Sequence, residues 1–154
     1  MDGVLADFLL GVKETTGKDF TAPQMVDGAK AELKNQIHQN DKFWYNLKPM
    51  DGMDVWKYTR KYNPQILSAY ARWDKNSVPG KYDWCKRNLR LQRNRVNLVQ
   101  RHEKSDYATN KDGRPNILID DYIKNIREFE ERGGIGIRHI NKDRTIARLK
   151  ELGL

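Results

Sequence analysis

Five side chains in the sequence suit phosphoryl chemistry. One of them lies beside a glycine at the start of the chain, and the other four end or closely follow short apolar segments. Carboxylates bind hard cations such as Mg²⁺, whereas lysine and serine neutralise or hydrogen-bond phosphate oxygens. The set therefore indicates a Mg²⁺-dependent phosphoryl site, provided that the apolar segments are neighbouring strands. Its members are Asp2, Ser68, Lys104, Asp120 and Asp121.

Each of these residues also has a plain structural interpretation. Asp120 and Asp121 before a helix can act as an N-cap and as favourable charges for the helix dipole. Ser68 alone fits a turn, and Lys104 alone fits a solvated lysine. Their order along the chain, after successive strands, is what favours the functional interpretation.

The elements that must position these residues alternate between strand and helix. Apolar segments rich in β-branched residues predict strands at 96–99, 116–119 and 135–138, and a fourth segment at 65–68 follows a proline and ends in small residues. Helical patterns lie between them, and alternation at this spacing predicts βαβ units in a parallel sheet with right-handed crossovers. In such a sheet the site lies beyond the carboxyl ends of the strands. The predicted helices are 55–62, 81–91, 122–132 and a final amphipathic helix over 142–152.

The segment between the first turn and the first of these helices is different. Its apolar residues fit helices, and no part of it predicts a strand. We therefore expect an α/β core made of residues 1–8 and 47–154, with a small helical cap inserted at residues 9–46.

Composition limits the class of protein. The 154 residues are enough for one domain with a real core, and the single cysteine, Cys85, has no internal disulfide partner. No apolar run approaches the ~20 residues of a membrane span, and residues 1–4 lack the basic region of a secretory signal. A soluble, cytoplasmic protein without a membrane partner is expected.

The net charge of +8 is partly concentrated at residues 86–95. This cluster fits a solvated helix end, and it also fits contact with a polyanion. No helix-turn-helix, zinc-finger or RNP signature accompanies it. Nucleic acid is therefore a possible partner that no motif supports.

Four segments taken together resemble the motifs of the haloacid-dehalogenase-like (HAD) phosphatases. Residues 1–8 (MDGVLADF) are similar to the end of the first motif, 66–69 (ILSA) to the second, Lys104 to the lysine of the third, and 117–126 (ILIDDYIKNI) to the fourth. Residues 43–50 (FWYNLKPM) are similar to the cap-to-core junction of the 5′(3′)-deoxyribonucleotidase branch. The resemblance covers nearly the whole chain and implies a HAD-like Rossmannoid sheet flanked by helices.

The resemblance also implies roles for individual residues. Asp2 matches the acid–base aspartate, whose main-chain carbonyl also contacts Mg²⁺, and Asp120 and Asp121 complete the metal site. Ser68 would hydrogen-bond a phosphate oxygen and Lys104 would offset charge on an aspartyl-phosphate. The implied reaction is Mg²⁺-dependent hydrolysis of a nucleoside or deoxynucleoside monophosphate, a small phosphorylated substrate.

The sequence departs from this family pattern at the nucleophile. The attacking aspartate belongs immediately before Met1, and the apolar strand that leads into it belongs before that, so the first core strand is expected to be truncated. Three explanations are open: a start site assigned too late or a shortened chain, a natural variant without phosphatase activity, and rescue by another carboxylate such as Asp7. The last loses in-line geometry.

Aromatic residues of the cap are candidates for substrate recognition. Phe43, Trp44 and Tyr45, with Phe20, could stack on a nucleobase or could attach the cap to the core. The resemblance adds Ala69 of the second motif as a substrate contact. Two rival functions stay open: an inactive HAD-like module that binds a nucleotide or a partner, and a phosphatase acting on nucleic-acid ends.

Overall fold

The computed structural model describes residues 1–20 and 27–154. Helices and short strands alternate from residue 52 onward, so the predicted α/β class is confirmed. Part of the predicted cap, residues 21–26, lies outside the described residues. Within those residues, no helix is both long and apolar enough to cross a membrane.

The strands are close to those predicted, with shifts of at most one residue. They are β1 (Ile66–Ala69), β2 (Val96–Val99), β3 (Ile117–Asp120) and β4 (Ile135–Arg138). β1 pairs in parallel with β2, and β3 pairs in parallel with β4. The expected single sheet is thus present as two separate two-stranded parallel sheets.

Three helices lie within the described part of residues 1–46. They are α1 (Phe8–Thr16), α2 (Asp27–Gln39) and α3 (Phe43–Asn46). α1 begins where the Asp7 carboxylate accepts a hydrogen bond from the Leu10 amide at 2.9 Å, and it ends at Gly17, whose φ of +70° suits a glycine C-cap. The described part of residues 9–46 therefore consists of helices and short connecting turns.

Four further helices flank the sheets. They are α4 (Gly52–Thr59), α5 (Ser77–Leu89), α6 (Ile123–Glu131) and α7 (Lys142–Glu151), and a 3₁₀ segment spans Arg101–Tyr107. α5 begins four residues before the prediction, and Gly80 in its first turn packs tightly against α3: a Cβ on Gly80 would lie 2.6 Å from the Trp44 Cβ. Sequence propensity does not reveal this contact.

Hydrophobic packing divides into one large and two small clusters. The large cluster joins the first turn, the helices α1 to α3, β1 and α5 through residues such as Val12, Trp44, Ile66 and Trp84. The small clusters lie under α6 and α7. The helical segment and the α/β part therefore share one continuous core.

Candidate functional site

The first turn places Asp2 at the carboxyl ends of β1 and β3. The main-chain amides of Val4, Leu5 and Ala6 approach the Met1 carbonyl oxygen at 3.2, 2.8 and 3.1 Å, which closes a tight loop. Gly3 has a φ of +70°, and a Cβ there would lie 2.2 Å from a carboxylate oxygen of Asp121. Both the backbone conformation and the close approach require glycine at this position.

Asp2 is held by a lysine that the sequence interpretation missed. Lys81, in α5, is fully buried, and its Nζ forms an ion pair with Asp2 Oδ2. The same Nζ donates to the Ala69 carbonyl at 2.7 Å, lies 3.3 Å from Ser68 Oγ, and stands 4.9 Å from the centre of the Trp44 ring. Within the described residues, Asp2 Oδ1 is buried and has no hydrogen-bond partner. One carboxylate oxygen is therefore anchored, and the other is desolvated without a protein donor.

The sequence does contain a signal for Lys81. This lysine precedes Trp84 and Cys85 by three and four residues, so the three side chains share one face of α5. That face is buried throughout. A lysine on an apolar helical face is unusual unless its charge is paired, and the partner here is 79 residues away in sequence.

A second ion pair, between Lys104 and Asp120, is buried on both sides. Lys104, in the 3₁₀ segment, donates from Nζ to Asp120 Oδ2 at 2.6 Å, and both side chains are buried. Asp120 Oδ1 accepts from the Tyr122 amide and from Asn125 Nδ2, each at 2.9 Å. Burial alone would raise the pKa of Asp120, but the charge and hydrogen bond of Lys104 outweigh it and hold that pKa below its usual range.

Asp121 behaves in the opposite way. Its carboxyl group lies against Gly3, and its pKa is raised, first by partial burial and then by the negative charge of Asp120. Two adjacent aspartates thus have pKa values shifted in opposite directions. A cation near Asp121 would relieve this repulsion.

The main chain at Met1 lies close to the charged side chains described above. The Met1 amino group is buried, and burial followed by the charge of Lys104 lowers its pKa. Asp2 and Asp120 act on that pKa in the opposite direction. This end of the backbone therefore lies among the acidic and basic groups of the site.

These residues surround one cavity of about 530 Å³ at the carboxyl ends of the strands. All the predicted catalytic and metal residues line it, and so does Ala69. Phe43 and Trp44 do not line it, because they are buried in the core, where Phe43 packs edge-on and Trp44 stacks on Phe8. The full polar lining is Asp2, Asp7, Ser68, Lys104, Asp120, Asp121 and Asn125.

Of the predicted aromatic candidates, Phe20 lines the cavity. Phe8, which packs edge-to-face with Phe20 at a ring-centre distance of 5.7 Å, and Tyr122 line it as well. Phe8 belongs to the first motif, and its apolar type gave no sign that its ring faces the pocket. Asp7 also lines the cavity, but one of its oxygens caps α1.

Three arginines of the basic cluster at residues 86–95 contact neighbouring protein groups. The guanidinium groups of Arg87 and Arg93 lie 4.0 and 4.4 Å from the ring centres of Tyr45 and Tyr82. Arg95 donates to the Pro64 carbonyl. These three arginines therefore have interaction partners within the protein itself.

The donor set around Asp121 fits Mg²⁺. Within the described residues, no three carboxylate, imidazole or thiol groups form a ready-made metal cluster. Mg²⁺ does not need one, since it usually takes one or two carboxylates and keeps several waters. Asp120 and Asp121 are adjacent carboxylates of this kind.

No family model and no curated protein matches the chain.

Proposed function

We propose that the chain is the α/β core of a Mg²⁺-dependent phosphomonoester hydrolase of the HAD 5′-nucleotidase type. One observation carries the proposal: acidic, basic and hydroxyl side chains from four separate segments converge on one cavity, and two lysines are buried among them. Burying a lysine is costly because its ammonium must be desolvated, and here each ammonium is paired with an aspartate that lines the cavity. The substrate class proposed is a nucleoside or deoxynucleoside monophosphate.

Asp2 is proposed as the acid–base group. Lys81 holds one of its oxygens, which leaves the buried, unpartnered Oδ1 to exchange a proton with the leaving-group oxygen or with water. A carboxylate held in place is suited to this task because no further conformational entropy is lost in orienting it during the reaction.

Phosphate binding is assigned to Ser68 and Lys104. Ser68 Oγ can donate to a phosphate oxygen, and the Lys104 ammonium, beside Asp120, supplies positive charge at the same pocket. Asp120 keeps Lys104 in place through its own hydrogen bonds to Tyr122 and Asn125. Lys81 adds a second positive charge behind Asp2.

Mg²⁺ would be held by Asp120, Asp121 and the main-chain carbonyl of Asp2. When bound, it would neutralise phosphate charge. The nucleophile, by resemblance, is an aspartate placed immediately before Met1, beside Lys104 and Asp120. Phe8 and Phe20 are proposed to contact the nucleoside, in preference to the buried Phe43 and Trp44.

The proposal is tested by adding an apolar strand that ends in Asp directly before Met1. With Mg²⁺, the extended protein should release phosphate from at least one nucleoside monophosphate in a panel of bases and sugars. Asp2→Asn should lower kcat by about 10²–10⁴-fold, because general acid–base catalysis is lost. Asp121→Asn should raise the Mg²⁺ concentration needed for half-maximal rate.

A matched control is Asp112→Asn, since Asp112 lies in an exposed loop and pairs only with Arg114 among the described residues. This variant should keep the full rate. If the extended protein releases no phosphate from any phosphomonoester, the proposed function is wrong.

A further inference from the structure

The exposed side of α5 and the residues that follow it form a surface rich in positive charge. Residues 86–95 contain five basic side chains and no acidic one. Lys42, at the start of α3, lies beside them, because its Nζ and the Arg87 guanidinium both lie over the ring of Tyr45, at 5.8 and 4.0 Å from the ring centre. We call this surface the basic patch. Its basic members, all exposed, are Lys42, Lys86, Arg87, Arg90 and Arg93.

A second tyrosine makes the basic patch continuous. Tyr82, in α5, lies under the guanidinium of Arg93, whose central carbon is 4.4 Å from the ring centre. Lys86 follows Tyr82 by four residues and Arg90 follows Lys86 by four, so their side chains lie at successive turns on one face. The patch therefore extends from α3 along α5 to the segment before β2.

The protein does not neutralise the charges of the basic patch. Within the described residues, none of its five basic side chains forms an ion pair, whereas several other surface cations do, such as Lys48 with Glu14 and Arg132 with Asp106. Like charges gathered at one surface repel one another, and an anionic partner relieves that repulsion.

The basic patch lies at the opposite end of α5 from the candidate site. α5 begins beside the cavity, since Lys81 in its second turn pairs with Asp2. Arg90 comes nine residues after Lys81, which corresponds to about 13 Å along a helix. Arg93 lies in the 3₁₀ turn directly before β2, at the amino end of that strand, whereas the cavity lies at the carboxyl ends. A ligand of the patch is therefore bound separately from a ligand of the cavity.

We propose that the basic patch binds the backbone of a single-stranded nucleic acid without sequence preference. Surfaces that bind single strands combine cationic side chains, which follow the phosphates, with planar groups on which bases stack. An arginine that lies over a tyrosine ring supplies both, because its N–H groups can donate to phosphate and its plane can stack on a base. A membrane surface fits less well, because no exposed large hydrophobic side chain of the described residues belongs to the patch.

The experiment measures the fluorescence anisotropy of a labelled single-stranded DNA of about 20 nucleotides, which is longer than one binding site. The 154-residue chain is titrated into it in the presence of EDTA. If the five basic side chains each contact a phosphate, Kd should weaken by about 100-fold between 50 and 200 mM NaCl, because the released counterions are taken up again at high salt.

A pair of substitutions removes two charges from the basic patch. Lys86→Gln with Arg90→Gln should weaken Kd at 50 mM NaCl by about tenfold or more and make its salt dependence less steep. The matched control is Arg144→Gln with Lys150→Gln on α7, which packs against α4 and β4. Both control residues are exposed and form no ion pair within the described residues. This control should change Kd by less than about twofold, because it leaves the phosphate contacts intact.

A gain of binding separates the effect of charge from a loss of folding. Asp83 is the acidic residue of α5, is exposed, and precedes Lys86 and Arg87 by three and four residues. Asp83→Asn removes a negative charge beside the basic patch, so it should tighten Kd at 50 mM NaCl by about two- to fivefold. A misfolded chain would not show this gain.

Three results would each overturn the proposal. One is a Kd for the Lys86 and Arg90 variant equal to that of the α7 control. The second is a DNA duplex of the same sequence that binds as tightly as the single strand, since the partner would then be a duplex. The third is tighter binding to phosphatidylserine vesicles than to DNA that is lost in the same variant, since the partner would then be a membrane.

The inference does not rest on the proposed function, because binding is measured without Mg²⁺ and away from the cavity. Binding of DNA by the chain, with no phosphate release by the extended protein, would contradict the function alone. Phosphate release without binding of DNA would contradict the basic patch alone.

Discussion

At the scale of residues, the site depends on two ion pairs beside one cavity: Lys104 and Asp120 are both buried, whereas in the other pair Lys81 is buried and the Asp2 side chain is 30% exposed. Lys81 holds Asp2, and Lys104 holds Asp120. Each partner comes from a different segment, so the pairs also tie α5 to the first turn and the 3₁₀ segment to β3. Removing one member of a buried pair is costly, because the remaining charge has no compensation.

The Lys81–Asp2 pair gives a direct prediction for stability. Lys81→Met should lower the free energy of unfolding by about 3 kcal/mol, because it leaves the Asp2 carboxylate without its counter-charge. Adding Asp2→Asn to this variant should recover part of the loss. Urea denaturation of the wild type, both single variants and the double variant forms the required cycle.

The control for this cycle is the exposed pair of Lys57 and Asp54, three residues apart on α4. Lys57→Met should change stability by less than about 1 kcal/mol, as is usual for surface pairs. Strictly additive losses for Lys81→Met and Asp2→Asn would show that the two side chains do not act as a pair.

At the scale of elements, a polar network joins the start of α4 to the start of α7. Asp51 accepts from the Lys142 amide at 2.8 Å and lies 3.3 Å from His139 Nε2. His139 is buried, and its Nδ1 lies 2.9 Å from Thr145 Oγ1. Burial alone would raise the pKa of Asp51, but the hydrogen bonds from Lys142 and His139 outweigh it and lower that pKa.

This network predicts a pH dependence of stability. Because the folded-state pKa of Asp51 is depressed, its contribution is fully present above the unfolded pKa of about 3.9 and is lost as pH falls through the folded value. Asp51→Asn should therefore lower the melting temperature at pH 6 and reduce its further fall toward pH 3. Melting curves across this range measure both effects.

The matched control is Asp143→Asn, because Asp143 is an exposed aspartate in the first turn of α7. Its melting temperature should follow the wild-type pH profile. An Asp51→Asn profile parallel to that of the wild type would contradict the assigned role.

At the scale of the whole molecule, the helical segment is attached to the α/β part through a buried carboxylate. Asp74, in the loop after β1, accepts from Trp44 Nε1 at 2.6 Å and from the Asn76 amide at 2.9 Å, and it lies 3.0 Å from His38 Nδ1. Trp44 and His38 belong to the helical segment. Asp74 therefore holds two of its helices at once.

Asp74→Ala should lower the free energy of unfolding by about 1–3 kcal/mol, because the buried Trp44 N–H loses its acceptor. The neighbouring exposed residue supplies the control, since Lys75→Ala should leave stability within about 0.5 kcal/mol of the wild type. Urea denaturation measures both. A loss for Asp74→Ala no larger than that for Lys75→Ala would contradict this attachment.

The sequence by itself was enough to predict the strands to within one residue, the helices that flank them with ends shifted by up to four residues, and five residues that line one cavity. Short β-branched segments and helical periodicity are local signals, and residues that end parallel strands meet at one edge by geometry. The roles of Asp2, Ser68, Lys104, Asp120 and Asp121 in metal binding and catalysis stay predictions.

Only the tertiary structure decided which side chains are buried beside these five. Lys81 reaches Asp2, and Phe8 lines the cavity while Phe43 and Trp44 do not, because burial depends on packing between segments far apart in sequence. The division of the strands into two separate sheets is also a tertiary feature. Strand pairing is non-local, so the sequence pattern that predicts each strand does not show which strands pair.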